Sequence, residues 1–338
     1  MRAHLRWVPR LIGPAILLYF LLTNDLARVL GDLRDVEWTP LGLALALYPV
    51  LVTIKAWRWN ALMDGLGMEA PPLREATAIY AVGLFLGGAT PGQSGDFLKA
   101  WYLRRRGQPL AAALFSVLLD RLFDFLIMAL LAVLGLSALV RLLPQQLRTL
   151  AVLAAVALAA AVVVALPALM GGASRRWLVR AALHSLPRRP GAALVRWSGQ
   201  FASLELRPRL CARAGLATLC SAACTMVRLW FCFRALHLAI PAPVFVGSMA
   251  LISILQSLPI SVAGVGVRDA VLIAILGAYG FEPYRALALS ALMLLLNLEH
   301  MVGGFLVELW HPLARPRGAA AAEAGRAGGE DWRLEDGR

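Results

Sequence analysis

Residues 110–140 read LAAALFSVLLDRLFDFLIMALLAVLGLSALV, and this stretch decides the fold class. About 20 predominantly apolar residues suffice for an α-helix to cross about 30 Å of hydrocarbon, and this block is long enough. Its interruption is Asp120-Arg121-Leu122-Phe123-Asp124. Asp120 stands ten residues in from Leu110, about 15 Å along a helix, which is mid-bilayer. Each charge at that depth costs about 2.5–3.5 kcal/mol on insertion scales, so the charged face must meet protein or a water-filled cavity. Asp120 and Asp124 share a face at four-residue spacing, and Arg121 reaches Asp124 at i+3. Two readings stay open here: a structural Asp–Arg clasp that glues helices, or a polar binding site.

The rest of the chain has the same character. Of 338 residues, 60% are apolar, against about 45–50% in a soluble domain. The excess falls in membrane-length blocks. The net charge is +13, and only Lys55 and Lys99 among the 33 basic residues are lysines. The arginines sit at the edges of apolar blocks, where the positive-inside rule puts them. No nucleic-acid motif accompanies them, so no nucleic-acid partner is expected. Cys211, Cys220, Cys224 and Cys232 all lie on one apolar segment without a CxxC pair. They read as polarizable packing residues, and neither a metal nor a cofactor is expected.

Charge and block length give a topology. Arg2, Arg6 and Arg10 precede an apolar run from Leu11 to Leu22, read as an uncleaved first span with a cytoplasmic N-terminus. An acidic external loop with Asp25, Asp32, Asp35 and Glu37 follows. The second span runs from about Pro40 to Trp57 and ends inside at Lys55 and Arg58. Ala76 to Ala89 is short for a crossing, ends in a Pro/Gly break and has basic residues on both sides. It reads as a re-entrant hairpin, which is tolerated only where it lines a cavity or is buried in protein. Leu110–Val140, Arg148–Pro167 and Cys211–Leu236 are the third to fifth spans. The basic stretch 171–210 between the last two reads as a cytoplasmic interfacial loop. Pro243 to Gly280 is a second hairpin, and Tyr284 to Trp310 the sixth span. The tail 314–338 reads as disordered. The fold class is thus an all-α polytopic membrane protein, with about six transmembrane helices and two re-entrant helical hairpins.

The two hairpins repeat each other. Pro91, Gly95 and Asp96 mark the first break; Pro259, Gly264 and Asp269 mark the second. Each is followed by a short limb and a long span with an acid at mid-depth, Asp124 or Glu299. The repeat units, about 76–140 and 243–310 within a membrane domain 1–313, face opposite sides. Inverted repeats with broken helices near the midplane are the architecture of secondary transporters. The first break offers Ser94, Gly95, Asp96 and Lys99; the second offers Ser261, Gly264, Gly266, Arg268 and Asp269. Half-helix N-termini attract anions. With Arg121, Lys99 and Arg268 as a cationic wall, the expected ligand is a phosphate-bearing headgroup held in one cavity between the breaks. Asp96, Asp124, Asp269 and Glu299 would balance that wall in the empty state, and Asp120 is a further candidate binding residue.

Four stretches also carry a family resemblance. They are Lys55-Ala56-Trp57-Arg58-Trp59, Thr90-Pro91-Gly92-Gln93-Ser94-Gly95-Asp96-Phe97-Leu98-Lys99-Ala100, Asp120-Arg121-Leu122-Phe123-Asp124, and Pro259 through Asp269. In this order and spacing, over about residues 5–310, the chain resembles the transmembrane region of lysylphosphatidylglycerol synthases, a flippase-like group of bacterial inner-membrane proteins. The resemblance implies a lipid-handling role, such as moving a charged or glycosylated lipid between leaflets of the cytoplasmic membrane; the charge-derived topology puts both termini in the cytoplasm. It does not extend to the soluble synthase domain of two-part members, so aminoacyl transfer is not implied. The family's acids at Asp96, Asp120 and Asp269 are often Glu, one methylene longer.

Three functions compete. The first is a flippase-like transporter of an anionic, polyprenyl or glycosylated lipid. The second is a membrane-embedded enzyme on a lipid-linked substrate, with Asp120 and Asp124 holding a metal, although no second DxxxD and no HExxH accompany them. The third is an accessory subunit of envelope-lipid biosynthesis, acting as a homo-oligomer or beside a partner enzyme.

Overall fold

The computed structural model of the chain describes residues 26–90, 95–140, 172–184, 208–257 and 266–310, with isolated positions between 149 and 199. The described residues are all helical or in short connections. The helices are α1 (Leu26–Arg34), α2 (Trp38–Ala46), α3 (Tyr48–Gly65), α4 (Leu73–Ala89), α5 (Leu98–Arg105), α6 (Leu110–Leu139), α7 (Gly172–His184), α8 (Pro208–Ala235), α9 (Ala242–Ser257), α10 (Val267–Gly277) and α11 (Pro283–Trp310). Three stretches among them are long and apolar enough to cross a membrane: Trp38–Gly65, Ala212–Ala235 and Pro283–Trp310. The 30-residue α6 spans about 45 Å by length. The expected first span, Leu11–Leu22, lies outside the described residues, and of the fourth, Arg148–Pro167, only isolated positions are described.

Two sequence expectations change. The acidic stretch after the first span is not all loop. Its centre forms α1, held to the start of α11 by the Arg285–Asp32 ion pair at 3.4 Å. The second span does not end at Lys55 and Arg58. α2 and α3 form one interrupted rod from Trp38 to Gly65, and Arg58 is wholly buried inside it. The interruption falls at Leu47, next to Pro49, which has no N–H to continue the ladder.

Both breaks are built from local chemistry. After α4, Thr90 accepts the Gly95 N–H at 2.6 Å and donates to the Leu86 carbonyl at 2.9 Å. The chain thus doubles back so closely that a Cβ at Gly95 would strike the Leu86 carbonyl. At the second break Gly266 has φ +88, a conformation that costs glycine little and other residues much. Asp269 Oδ2 accepts its N–H at 2.7 Å and so fixes the start of α10. At 17 and 16 residues, α4 and α9 are about 24–26 Å long, short of the hydrocarbon thickness.

The helices before the two breaks pack crosswise. α4 lies along α11, and α9 lies along α6, and these are the two most extensive helix contacts in the molecule. Each short limb, α5 or α10, instead packs on the long helix that follows it, α6 or α11. Small residues make the crossed contacts close. Gly135 of α6 faces Gly247 of α9 backbone to backbone, and Gly304 of α11 sits against the Ala81 carbonyl of α4, the close approach that small residues permit between membrane helices. Two large apolar cores result, with two smaller clusters beside them. One joins α3, α4, α5 and α6 around Trp59, Tyr80 and Leu103. The other joins α1, α2, α8, α9, α10 and α11 around Phe233, Met249 and Leu289.

Candidate functional site: a ladder of buried charges beside a cavity

The first core encloses seven charged side chains in one alternating series. Lys55 Nζ donates to Asp124 Oδ2 at 2.9 Å. Arg58 Nη1 donates to Asp124 Oδ1 at 2.6 Å, and Arg58 Nε to Asp120 Oδ1 at 2.8 Å. Lys99 Nζ lies 3.3 Å from Asp120 Oδ2 and 2.9 Å from Asp96 Oδ1. Arg121 Nε donates to Asp96 Oδ2 at 2.7 Å. The order is Lys55, Asp124, Arg58, Asp120, Lys99, Asp96, Arg121: four cations and three carboxylates, with a cation at each end.

Four elements supply the series: α3, the first break, α5 and α6. Spacing of three residues puts Lys55 and Arg58 on one face of α3 toward α6, and spacing of four does the same for Asp120 and Asp124. Break one returns Asp96 and Lys99 to this level. Tyr80 of α4 donates its hydroxyl to Asp120 Oδ2 at 2.8 Å. Lys99 Nζ stands 3.8 Å from the Tyr80 ring centroid and 5.5 Å from that of Trp59, so the aromatic faces add to its stabilisation. Trp59 is itself held by an Nε1 hydrogen bond to Ser116 at 3.2 Å. Every oxygen of Asp120 and Asp124 faces a cation or the tyrosine, so the pair holds no open metal-ligand set.

Burial is graded along the series. Arg58, Asp120 and Lys99 side chains are at 0% exposure, Lys55 is at 17% and Arg121 at 19%. Both cationic ends line a cavity of about 220 Å³ between α3, α4, α6, α8, α9 and α11, together with Asp124. Arg228 and His300 line it as well. Arg228 is a hub. Its Nε donates to the Ala44 carbonyl at 2.8 Å beside the α2–α3 interruption, its Nη1 lies 2.9 Å from His300 Nε2, and its Nη2 bonds Glu299.

The sequence-derived residues therefore divide into groups. Gly95, Asp96, Lys99, Asp120, Arg121 and Asp124 come together in or beside the ladder. Arg121 engages Asp96 across the break, where i+3 spacing pointed to Asp124. Glu299 sits on the opposite side of the cavity with Arg228. Gly266, Arg268 and Asp269 form a separate cluster at α10. There Arg268 Nε donates to Ser290 Oγ at 2.8 Å, and Ser290 in turn bonds Asp269. Of the three cations expected to wall one cavity, Arg121 lines it, Lys99 is buried behind it, and Arg268 is buried in the α10–α11 cluster. Ser94, Ser261 and Gly264 lie outside the described residues.

Sequence reasoning missed Lys55, Arg58 and Arg228 as site residues. Lys55 and Arg58 looked like the basic end of a span, yet apolar sequence resumes at Ala61-Leu62-Met63. Arg228 had a plain signal, because it lies in the middle of an apolar block, the same sign that singled out Asp120.

A polytopic helical membrane protein with short interrupted limbs and a charged interior beside a cavity is thus defined. A family model described as "Lysylphosphatidylglycerol synthase TM region" matches residues 7–299, and the chain belongs to that family. Membership associates it with lipid biosynthesis or transport at the membrane. Comparison with curated proteins gives no match.

Proposed function

We propose that this protein binds the anionic headgroup of a membrane lipid in the cavity beside the charge ladder and carries it between leaflets, as a flippase-like transporter of the cytoplasmic membrane. In this reading the chain has six spans and two re-entrant hairpins in an inverted repeat. The carrying observation is the ladder's composition. Seven charges alternate among the described residues, and the cations Lys55 and Arg121 both line the cavity. A buried series of this kind costs several kcal/mol of desolvation per ion, a cost that a site for a charged ligand would justify. Lys55 uses one bond on Asp124 and lines the cavity beside Arg121, and a phosphate accepts charge-assisted hydrogen bonds from such cationic donors.

Crossed packing of the hairpins supports the transport reading. In inverted-repeat transporters a site at the repeat interface is exposed alternately to each side by rocking one unit against the other. Here the cavity is bounded by α4 and α6 of one unit and α9 and α11 of the other. The test is mass spectrometry of lipids that copurify with the wild-type protein and with a Lys55→Gln/Arg121→Gln variant. Lipid with a phosphate headgroup should be enriched over the host membrane in the first and lost in the second. Equal lipid profiles in both, matching the bulk membrane, would overturn the headgroup reading. Movement is tested separately in proteoliposomes, by quenching a labelled anionic lipid from the outside.

A further inference from the structure

Among the described residues three acceptors hold Arg228, and one of them is charged. Nε donates to the Ala44 carbonyl at 2.8 Å, Nη2 donates to the Glu299 carboxylate, and Nη1 stands 2.9 Å from His300 Nε2. A guanidinium can only donate, so His300 Nε2 accepts, and the neutral ring carries its proton on Nδ1. The Tyr48 ring lies against that imidazole, with centroids 5.2 Å apart. Two neutral acceptors therefore fix the position of the guanidinium, and Glu299 alone among the three meets its charge.

Glu299 differs in this from the acids of the ladder. Asp96, Asp120 and Asp124 each face two cations, whereas Glu299 faces one among the described residues, Arg228. Its side chain is 19% exposed, so a proton can reach it. A proton on any ladder acid would deprive two cations of a partner. A proton on Glu299 deprives a single cation, and that cation lines the cavity. A proton on His300 Nε2 would have to displace the Arg228 bond, whereas a proton on Glu299 leaves that bond in place.

No other group nearby substitutes for the carboxylate. Tyr48 of α3 lies beside the pair, and Cys224 and Cys232 lie four residues to either side of Arg228 on α8. All three stay protonated as the pH falls. Across the cavity, Lys55, Arg121 and Asp124 belong to the ladder, and Tyr80 of α4 donates to Asp120. Where α4 meets this part of α11 it presents Ala81, Phe85 and Gly88, none of which titrates. Arg268 and Asp269 of α10 are engaged with Ser290, further along α11, and Asp32 of α1 pairs with Arg285 at its start.

Resting on the anionic-headgroup reading of the cavity, we infer that Glu299 is a proton-binding site linked to anion binding at Arg228: protonated Glu299 releases the guanidinium to a phosphate, and ionised Glu299 takes it back. Carboxylate and phosphate compete for one cation, so a proton on Glu299 raises anion affinity, and a bound anion raises proton affinity by the same factor. His300 and the Ala44 carbonyl are positioning groups that keep Arg228 oriented while its counter-ion changes. One proton is taken from water as the phosphate binds and is returned as it leaves.

The test uses the full-length protein in phosphatidylcholine nanodiscs, with phosphatidylglycerol as the anionic probe. The probe's phosphodiester stays ionised throughout, so its own charge is constant. Its affinity should rise about five-fold or more from about pH 8 to about pH 5.5, the usual size of coupling between two sites. Infrared difference spectra over the same step should show a new protonated-carboxyl band. In Glu299→Gln the neutral amide stands in for the protonated acid, so affinity should be high at both pH values and the band absent. Wild-type protein that prefers phosphatidylglycerol equally at both pH values would overturn the linkage and leave the anionic reading standing. No preference over phosphatidylcholine at either pH would overturn both. A pH dependence kept in Glu299→Gln and lost in His300→Gln would put the proton on the histidine and overturn the assignment to Glu299. The two wild-type affinities need no substitution, so the linkage stands or falls on them even where a variant does not accumulate.

Discussion

The two breaks look alike in sequence and are used differently in the structure. Each has a proline, glycines and an acid, and each feeds a short helix onto a long one. At the first, Asp96 and Lys99 join a charge series that reaches α3, α4 and α6 and opens on the cavity. At the second, Asp269 and Arg268 are settled locally by Ser290 of α11 and by the Gly266 backbone. One break extends a long-range polar network, and the other closes a short one. A shared motif therefore fixes the backbone path, while the residues facing it on the neighbouring helix decide what its charges can do. α6 presents Asp120 and Arg121 to its break, and α11 presents one hydroxyl, Ser290.

The sharpest way to break this contrast is at the centre of the ladder. Arg58 bonds both Asp120 and Asp124 with no exposed surface. Arg58→Gln leaves two carboxylates short of a cation, and loss of one partner of a buried pair typically costs about 3–5 kcal/mol. The expected outcome is a large fall in accumulation and in the detergent melting temperature. Adding Asp120→Asn should recover part of the loss, because it removes one uncompensated charge. By the same reasoning Asp120→Ala should be worse than Asp120→Asn. Wild-type melting in the Arg58 single variant would mean that the ladder is not held together by charge.

Much of this arrangement was legible before any coordinates. Block length marked long apolar helices such as Pro283–Trp310, because hydrocarbon thickness is a fixed ruler. Gly95 and Gly266 marked breaks because the backbone there needs a missing Cβ or a positive φ. Asp96, Lys99, Asp120, Arg121 and Asp124 stood out because a charge at membrane depth is expensive. What could not be read was pairing across helices. Arg121 had an acid at i+3 and takes one from the break. Lys55 and Arg58 had the signature of a membrane edge, and only the continuation of α3 to Gly65 shows that they lie inside. Their partners on α6 are more than 60 residues away, and local spacing carries no information at that range.

At the second break the expected effect is smaller and of another kind. Asp269→Ala removes the acceptor for the Gly266 N–H and for the Ser290 hydroxyl, and it leaves buried Arg268 without its carboxylate neighbour at 3.8 Å. About 1–3 kcal/mol of stability should be lost, the range for buried polar groups left unsatisfied. Since this cluster does not line the cavity, the lipid preference of the protein that does fold should be unchanged. A changed preference, measured by competition in nanodiscs, would show that the two breaks are coupled after all.

The smallest stability effect belongs to the ladder's open end, and it separates holding the fold from holding a ligand. Lys55 touches one carboxylate, Asp124, which keeps Arg58 as a second partner. Both side chains are partly accessible, at 17% and 23%. Ion pairs with access to water contribute about 0–1 kcal/mol, so Lys55→Gln should shift melting little. The same substitution removes one of the two cations that face the cavity from the ladder. If the series exists to present its ends, anionic-lipid affinity should fall by about ten-fold or more, as expected for losing a charge-assisted hydrogen bond worth about 1.5–3 kcal/mol. The competing clasp reading reverses the pattern: stability would fall with the number of contacts removed, and lipid affinity would not move. Measuring melting and lipid competition on one preparation of Lys55→Gln distinguishes the two, because a loss of affinity without a loss of stability is available only to a binding site.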